Sequence, residues 1–177
     1  ATGNRATIGG MIGNNASGTR SIVYGITRDH VLELKTLLCD GAILNLKKAT
    51  QKNSPEADIM DGLKKIVDAN RDEIKKRFPK VMRRVQGYNL DSFANDDLAN
   101  PADIMVGSGG TLGVFLEAKL NLEPLPKAKV LCTIHFARFM EAIRTVGPIL
   151  KHKPSAVEII DSDVIVMARS NRSIAPL

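Results

Sequence analysis

The sequence predicts an α+β fold, mainly an antiparallel sheet with flanking helices, from three observations. Two short apolar runs flank the dipeptide Asp40-Gly41, a long amphipathic segment follows a Ser54-Pro55-Glu56 start, and a second glycine cluster feeds an alternating apolar–polar run. Runs joined by a tight turn pair antiparallel, and an amphipathic helix buries its apolar stripe against such a sheet.

Residues 1–30 carry the glycine and asparagine density of a loop, with room for one short strand or helical turn. From Val31 the pattern becomes β: Val31-Leu32-Glu33-Leu34-Lys35 alternates, Asp40-Gly41 supplies the turn, and Ala42 to Leu46 returns as an apolar stretch. Ser54 then offers an N-cap, Pro55 a pre-set first helical residue and Glu56 an early acid for the helix dipole. Ile59, Leu63, Ile66, Val67, Ile74 and Phe78 recur at three- and four-residue steps, and Pro79 stops the run. A polar irregular link follows, with Tyr88, Leu90 and Phe93 as anchors onto a core.

After this link a short strand, Ile104 to Val106, is expected to enter a glycine loop at Gly107 to Gly110. A β-run leaves that loop, with Leu116, Ala118, Leu120 and Leu122 alternating against Glu117, Lys119 and Asn121. Pro124 and Pro126 read as a linker, which divides the chain into 1–126 and 127–177. In the second part, Val130 to Phe136 and Ala156 to Ile160 read as strands and Arg138 to Leu150 as a helix kinked or ended by Pro148. Asp161 opens a short helix through Met167, and the tail 169–177 reads as frayed. A β-α-β-α start of this kind is the beginning of a second α+β domain.

With 177 residues, 44% apolar and 25% charged, the chain can build a real core. No apolar run approaches the roughly eighteen residues of a membrane helix. A start at Ala1, without an initiator Met or a signal-peptide pattern, reads as a fragment of a cytoplasmic protein. Cys39 and Cys132 lack metal-ligand spacing and read as two reduced, buried thiols. The net charge of +6 is concentrated in Lys64 to Arg84, interleaved with Asp68, Asp72 and Glu73, the pattern of a solvated helix face. With no Trp and two Tyr there are few stacking platforms, so nucleic acid is not an expected partner.

Chemistry concentrates in Thr7 to Gly25, which holds five glycines, the pair Asn14-Asn15 and the hydroxyls of Thr7, Ser17, Thr19 and Ser21. Bare backbone lets a ligand approach closely, and successive amides can nest an anion. On chemistry alone the segment serves equally as such a cradle or as a turn-rich surface. The P-loop pattern is absent, and Gly9-Gly10-Met11-Ile12-Gly13 does not match the Rossmann fingerprint.

The stretch ATIGGMIGNNASGTRSIVYGITRDHVLELKTLLCDGAIL resembles the second half of the flavin domain of FAD-linked oxidases, the vanillyl-alcohol-oxidase or PCMH-type superfamily. VGSGGTLGVFLEAKLNLEPLP is similar to the later GSEGTLG segment of that superfamily's D-lactate dehydrogenase and glycolate oxidase flavin-subunit branch. The resemblance implies the second subdomain of the FAD-binding domain over 1–126 and the start of the substrate (cap) domain over 127–177. It implies FAD as cofactor, with Thr7, Gly9, Gly10, Gly13, Asn14, Asn15, Ser17 and Gly18 along the pyrophosphate, ribityl chain and ring edge. Tyr24 and Gly25 would close the loop, Val31 would meet the adenine end through its backbone, and Gly107 and Ser108 would add main-chain contacts.

By the same resemblance the parent oxidises a 2-hydroxy acid such as D-lactate or glycolate by hydride transfer to flavin. An iron–sulfur module or subunit is the implied electron-transfer partner. The other half of the cofactor cradle, with its own phosphate loop, is implied to lie outside this sequence. The chain alone is then expected to be inactive, to bind FAD weakly and to pair as a homodimer through faces left uncovered. An alternative is a non-catalytic binding module with phosphate-holding glycine loops. Gly109 departs from the family's Glu, which removes a carboxylate that could order the loop. No catalytic residue is identified: His135 reads as a core imidazole, His152 as surface, and His30 as a cap on the first loop. No metal site is expected.

Overall fold

The computed structural model describes residues 3–48, 53–95 and 99–171. The chain forms two compact units, Ala1–Pro124 and Leu125–Leu177. The first is α+β.

The glycine-rich beginning, expected as loop, folds into three short helices: α1 (Ile8–Gly13), α2 (Ser21–Tyr24) and α3 (Thr27–His30). Glycine disfavours helix, so local capping must hold these turns. The Thr7 hydroxyl accepts from the Gly10 amide at 3.1 Å, and Asp29 accepts from the Ile26 amide at 2.9 Å. Burial adds the rest: Ile12 points from α1 into the core.

Strands β1 (Val31–Leu37) and β2 (Ile43–Lys47) form the expected hairpin, in register from Glu33↔Lys47 to Leu37↔Ile43. Asp40 accepts from the Ala42 amide at 2.9 Å, and Gly41 takes φ 87° in the turn. Strand β3 (Val114–Leu120) adds antiparallel to the other side of β1, giving the order β2-β1-β3. Its register with β1 shifts twice, so the simple alternation expected for Leu116 to Leu122 does not hold. Phe115 turns toward the core, whereas Leu116 and Leu122 are exposed.

Ser54 caps helix α4 (Pro55–Arg77), its hydroxyl accepting from the Ala57 amide. Leu63, Val67 and Ile74 are buried with Phe93 and Ala94 of α5 (Leu90–Asn95), while Ile59 and Ile66 of the expected stripe face outward. Tyr88 is likewise no core anchor: it is exposed, with its hydroxyl 3.0 Å from the Thr111 hydroxyl. The end of a 3-10 helix (Pro101–Ile104) and a turn at 105–107 stand where a strand was expected at Ile104 to Val106. The Asn100 carboxamide accepts from the Ala102 amide and donates to the Val31 and Leu32 carbonyls, which favours a turn packed against β1 over a paired strand. The main core gathers Ile12, Val31, Leu34, Leu44, Leu46, Ala102, Met105 and Val106.

The second unit contains α6 (Phe139–Leu150) and α7 (Ser162–Ser170), the latter capped by Asp161 accepting from the Asp163 amide. Pro148 lies inside α6, which continues two residues beyond it. The strands expected at Val130–Phe136 and Ala156–Ile160 are absent, and no described residue from 125 to 171 is buried. His135 is therefore exposed rather than a core imidazole, and Cys39 and Cys132 are exposed free thiols rather than buried ones. The end of the tail, 172–177, and residues 96–98 of the polar link lie outside the described residues. Among the described residues no helix is long and apolar enough to cross a membrane.

Candidate functional site

Two main-chain hydrogen bonds join the glycine segments. The Gly107 amide donates to the Ile12 carbonyl and the Gly109 amide to the Gly13 carbonyl, both at 2.9 Å. These bonds bring the end of α1 against the turn that precedes β3. The result is a cleft of about 410 Å³ lined by Gly9, Gly10, Gly13, Asn14, Gly109, Gly110, Gly113, Val114 and Phe115.

The backbone explains why glycine occupies the joint. Gly107 has φ 82°, and a Cβ there would lie 3.2 Å from the Asn15 Cβ and 3.3 Å from the Val85 carbonyl oxygen. A side chain would be strained and would push the two segments apart. Gly113 is tighter still: its Cβ would fall 2.6 Å from the Leu37 carbonyl oxygen and 2.8 Å from the Thr36 Cγ2. Gly109 is held by its main-chain bond to Gly13, without a carboxylate.

Of the residues expected at the site, Gly9, Gly10, Gly13 and Asn14 line the cleft. Thr7 stands beside it as the cap of α1. Asn15 and Ser108 are buried outside the cleft lining, 0% and 5% exposed, with Gly107 packed on Asn15. The Asn15 Oδ1 accepts from the Arg28 main-chain amide, but the Asn15 Nδ2 and Ser108 Oγ have no hydrogen-bond partner. Ser17 and Gly18 are exposed outside the cleft lining. Gly18 donates instead to the Ser21 hydroxyl. Tyr24 ends α2 and Gly25 is its C-cap, and His30 Nε2 lies 2.6 Å from the Tyr24 carbonyl oxygen, so His30 ties the loop as expected.

Val31 lines a second groove, of about 650 Å³, with Arg28, Lys48, Asn100, Asp103 and Lys119 among its walls. Its carbonyl accepts from Asn100 Nδ2 at 2.9 Å. Burial pushes the Asp103 carboxyl up to about 6, against the opposing pull of Arg28 and a hydrogen bond with Ser92. Residues that sequence reasoning missed are Gly110, Gly113, Val114 and Phe115. Their signal was the continuation of the second glycine cluster into β3, which places its first residues at the cleft.

The cleft fits a wall for an elongated polar ligand. A Cβ added at Gly9, Gly109 or Gly110 would meet nothing within 4 Å, so the surface is open backbone. Among the described residues no cluster of His, Cys, Asp and Glu could hold a metal ion.

Residues 1–47 match the FAD binding domain family. The chain is 36% identical, over 95% of its length, to a D-2-hydroxyglutarate dehydrogenase of Pseudomonas putida, of which it covers 18%. It is 34% identical, over 97% of its length, to the enzyme of the same name from Escherichia coli, again covering 18%. With a D-lactate dehydrogenase of Archaeoglobus fulgidus it shares 29% identity over 90% of the chain and 27% of that protein. The chain thus spans about a fifth of the length of the 2-hydroxyglutarate relatives.

Proposed function

We propose, for a chain that belongs to the FAD-linked oxidase superfamily, that it forms one wall of the cofactor site in a larger 2-hydroxy acid oxidoreductase. The observation that carries this reading is the pair of bonds from Gly107 and Gly109 to Ile12 and Gly13, which makes one surface of two distant glycine segments. FAD, when bound, supplies the two-electron acceptor that protein side chains lack. The part left to this chain is to bind and orient. Open backbone at Gly9, Gly109 and Gly110 admits close approach to the cleft wall. Phe115 and Val114 form the apolar end of the cleft, suited to the edge of an aromatic ring.

Among 2-hydroxy acids, the 2-hydroxyglutarate type stands ahead of lactate and glycolate. Identity is 36% to the Pseudomonas putida 2-hydroxyglutarate enzyme, against 27% to a glycolate oxidase subunit of Bacillus subtilis. An iron–sulfur electron acceptor in the parent and self-association of the isolated chain belong to the same proposal.

The test is to purify the full-length protein that carries this segment and measure bound flavin and oxidation of D-2-hydroxyglutarate, D-lactate and glycolate. Bound flavin with turnover of D-2-hydroxyglutarate is the expected result. The 177-residue chain alone should show no turnover and weak flavin quenching. A full-length protein that neither holds nor takes up FAD contradicts the proposal and leaves a binding module.

A further inference from the structure

We propose that Asn89 is a positioning residue for the cofactor wall, setting the second glycine turn from below through a saturated buried hydrogen-bond hub. The inference rests on the reading of the glycine cleft as an FAD wall and adds a residue outside both glycine segments to it. Asn89 is 0% exposed. Its Nδ2 donates to the Asp103 carbonyl at 2.9 Å and the Val106 carbonyl at 2.7 Å. Its Oδ1 accepts from Arg84 at 3.0 Å and from Arg28 at 3.4 Å. All four hydrogen-bonding positions of the carboxamide are therefore engaged. Turning the amide over would set its NH2 against two guanidinium groups and its oxygen against two carbonyls, so the neighbours fix its orientation.

The two carbonyls it holds bracket the turn at 103–106, and the next residue, Gly107, makes the bond to Ile12. The same stretch of chain supports Gly107 by contact: the Val85 and Gly87 carbonyl oxygens lie 3.3 and 3.4 Å from where a Gly107 Cβ would sit. Arg84 braces the hub from the helical side. It pairs with Asp91, donates to the Gln86 carbonyl at 3.3 Å, and stacks its guanidinium 5.0 Å from the Phe78 ring centroid at the end of α4. Arg28 reaches the hub from α3, in the first motif. Asn89 thus meets the helical core, the first motif and the second glycine turn at one buried point. Deleting its carboxamide would strand two carbonyls and loosen two cations in a region without water access, so the turn would relax.

The test pairs Asn89→Ala with Arg84→Ala, and uses Leu63→Ala as a stability control in the separate α4–α5 core. Hydrogen exchange is read in the 177-residue chain, and FAD affinity in the full-length protein. Asn89→Ala is expected to speed amide exchange at residues 105–110 about tenfold while β1 and β2 keep their protection. It should weaken FAD binding by about tenfold, the change one buried hydrogen bond is worth. Arg84→Ala, which removes one of the four contacts, should move both readouts in the same direction by less, and it serves if Asn89→Ala does not fold. Leu63→Ala should lower the melting temperature with less than a twofold change in FAD affinity. Unchanged exchange at 105–110 in Asn89→Ala and Arg84→Ala overturns the hub, whatever FAD does. Faster exchange with unaltered FAD affinity overturns the link to the cofactor. If the unmodified full-length protein takes up no FAD, the functional reading fails while the exchange arm still decides the hub.

Discussion

The two units of this chain obey the same local rules with opposite outcomes for burial. Among the described residues of the first, fourteen apolar residues are buried, the larger cluster of them against a three-stranded sheet. In the second, two helices form, α7 with a side-chain cap and α6 without one, yet none of the described residues is buried, and Val130 and Leu131 are 94% and 90% exposed. Helices satisfy their main chain within one segment, so α6 can form from periodicity and α7 from capping and periodicity. A strand needs a partner, and no described strand in residues 125–171 supplies one for Val130–Phe136 or Ala156–Ile160. The apolar side chains of these segments are the material of a core without its counterpart.

The sharpest break of that contrast comes from truncating one apolar side chain in each unit. Leu34→Ala, at a fully buried position on the central strand, should cost about 2–5 kcal/mol in a denaturant titration. Ile143→Ala, on exposed α6, should stay within about 0.5 kcal/mol. Equal effects would mean that the second unit has a core of its own. Next in size is Gly113→Ala, which forces a methyl to within 2.6 Å of the Leu37 carbonyl and parts β3 from β1. A loss of about 1–3 kcal/mol is expected, with faster amide exchange at the β1–β3 ladder but an intact β1–β2 hairpin.

Asp103 tests the electrostatics of the first unit. Its carboxyl is pushed up to about 6 by burial, from an ordinary value of 3.8, with Arg28, Asp29 and Lys48 as the facing charges and Ser92 as hydrogen-bond partner. The folded state therefore binds this proton more tightly than the unfolded chain. The contribution is fully present below about pH 4 and is lost as pH rises toward 6. Asp103→Asn should stabilise the unit by about 1 kcal/mol at pH 7, discounted for partial exposure, and the gain should vanish near pH 4. Smallest is the pair of caps. Ser54→Ala should cost about 1 kcal/mol of the first unit's unfolding free energy. Asp161→Ala should lower helical signal and leave that transition unmoved, because α7 belongs to the other unit.

Local signals were legible in the sequence and distant ones were not. Asp40-Gly41 fixed the hairpin, and Ser54-Pro55 fixed the start of α4, because turn and cap chemistry act within a few residues. The burial of Cys39 and His135 was misjudged, since apolar neighbours in sequence do not guarantee a covering layer. The 3-10 turn at Pro101–Ile104 was hidden for a related reason: Asn100 reaches β1 across 69 residues, which no window sees. At the site, the glycines named the cleft, but the chain's approach at Gly107 and the support from Asn89 depend on tertiary contacts. The resemblance set Tyr24 and Gly25 to close the loop; they lie at the end of α2, outside the cleft lining.

That residues 7–18 and 107–110 share one ligand can be read by hydrogen exchange on the full-length protein with and without FAD. FAD should slow exchange in both segments together and leave α4 unchanged. Protection confined to one of them, or to neither while flavin is bound, would contradict a common cofactor wall.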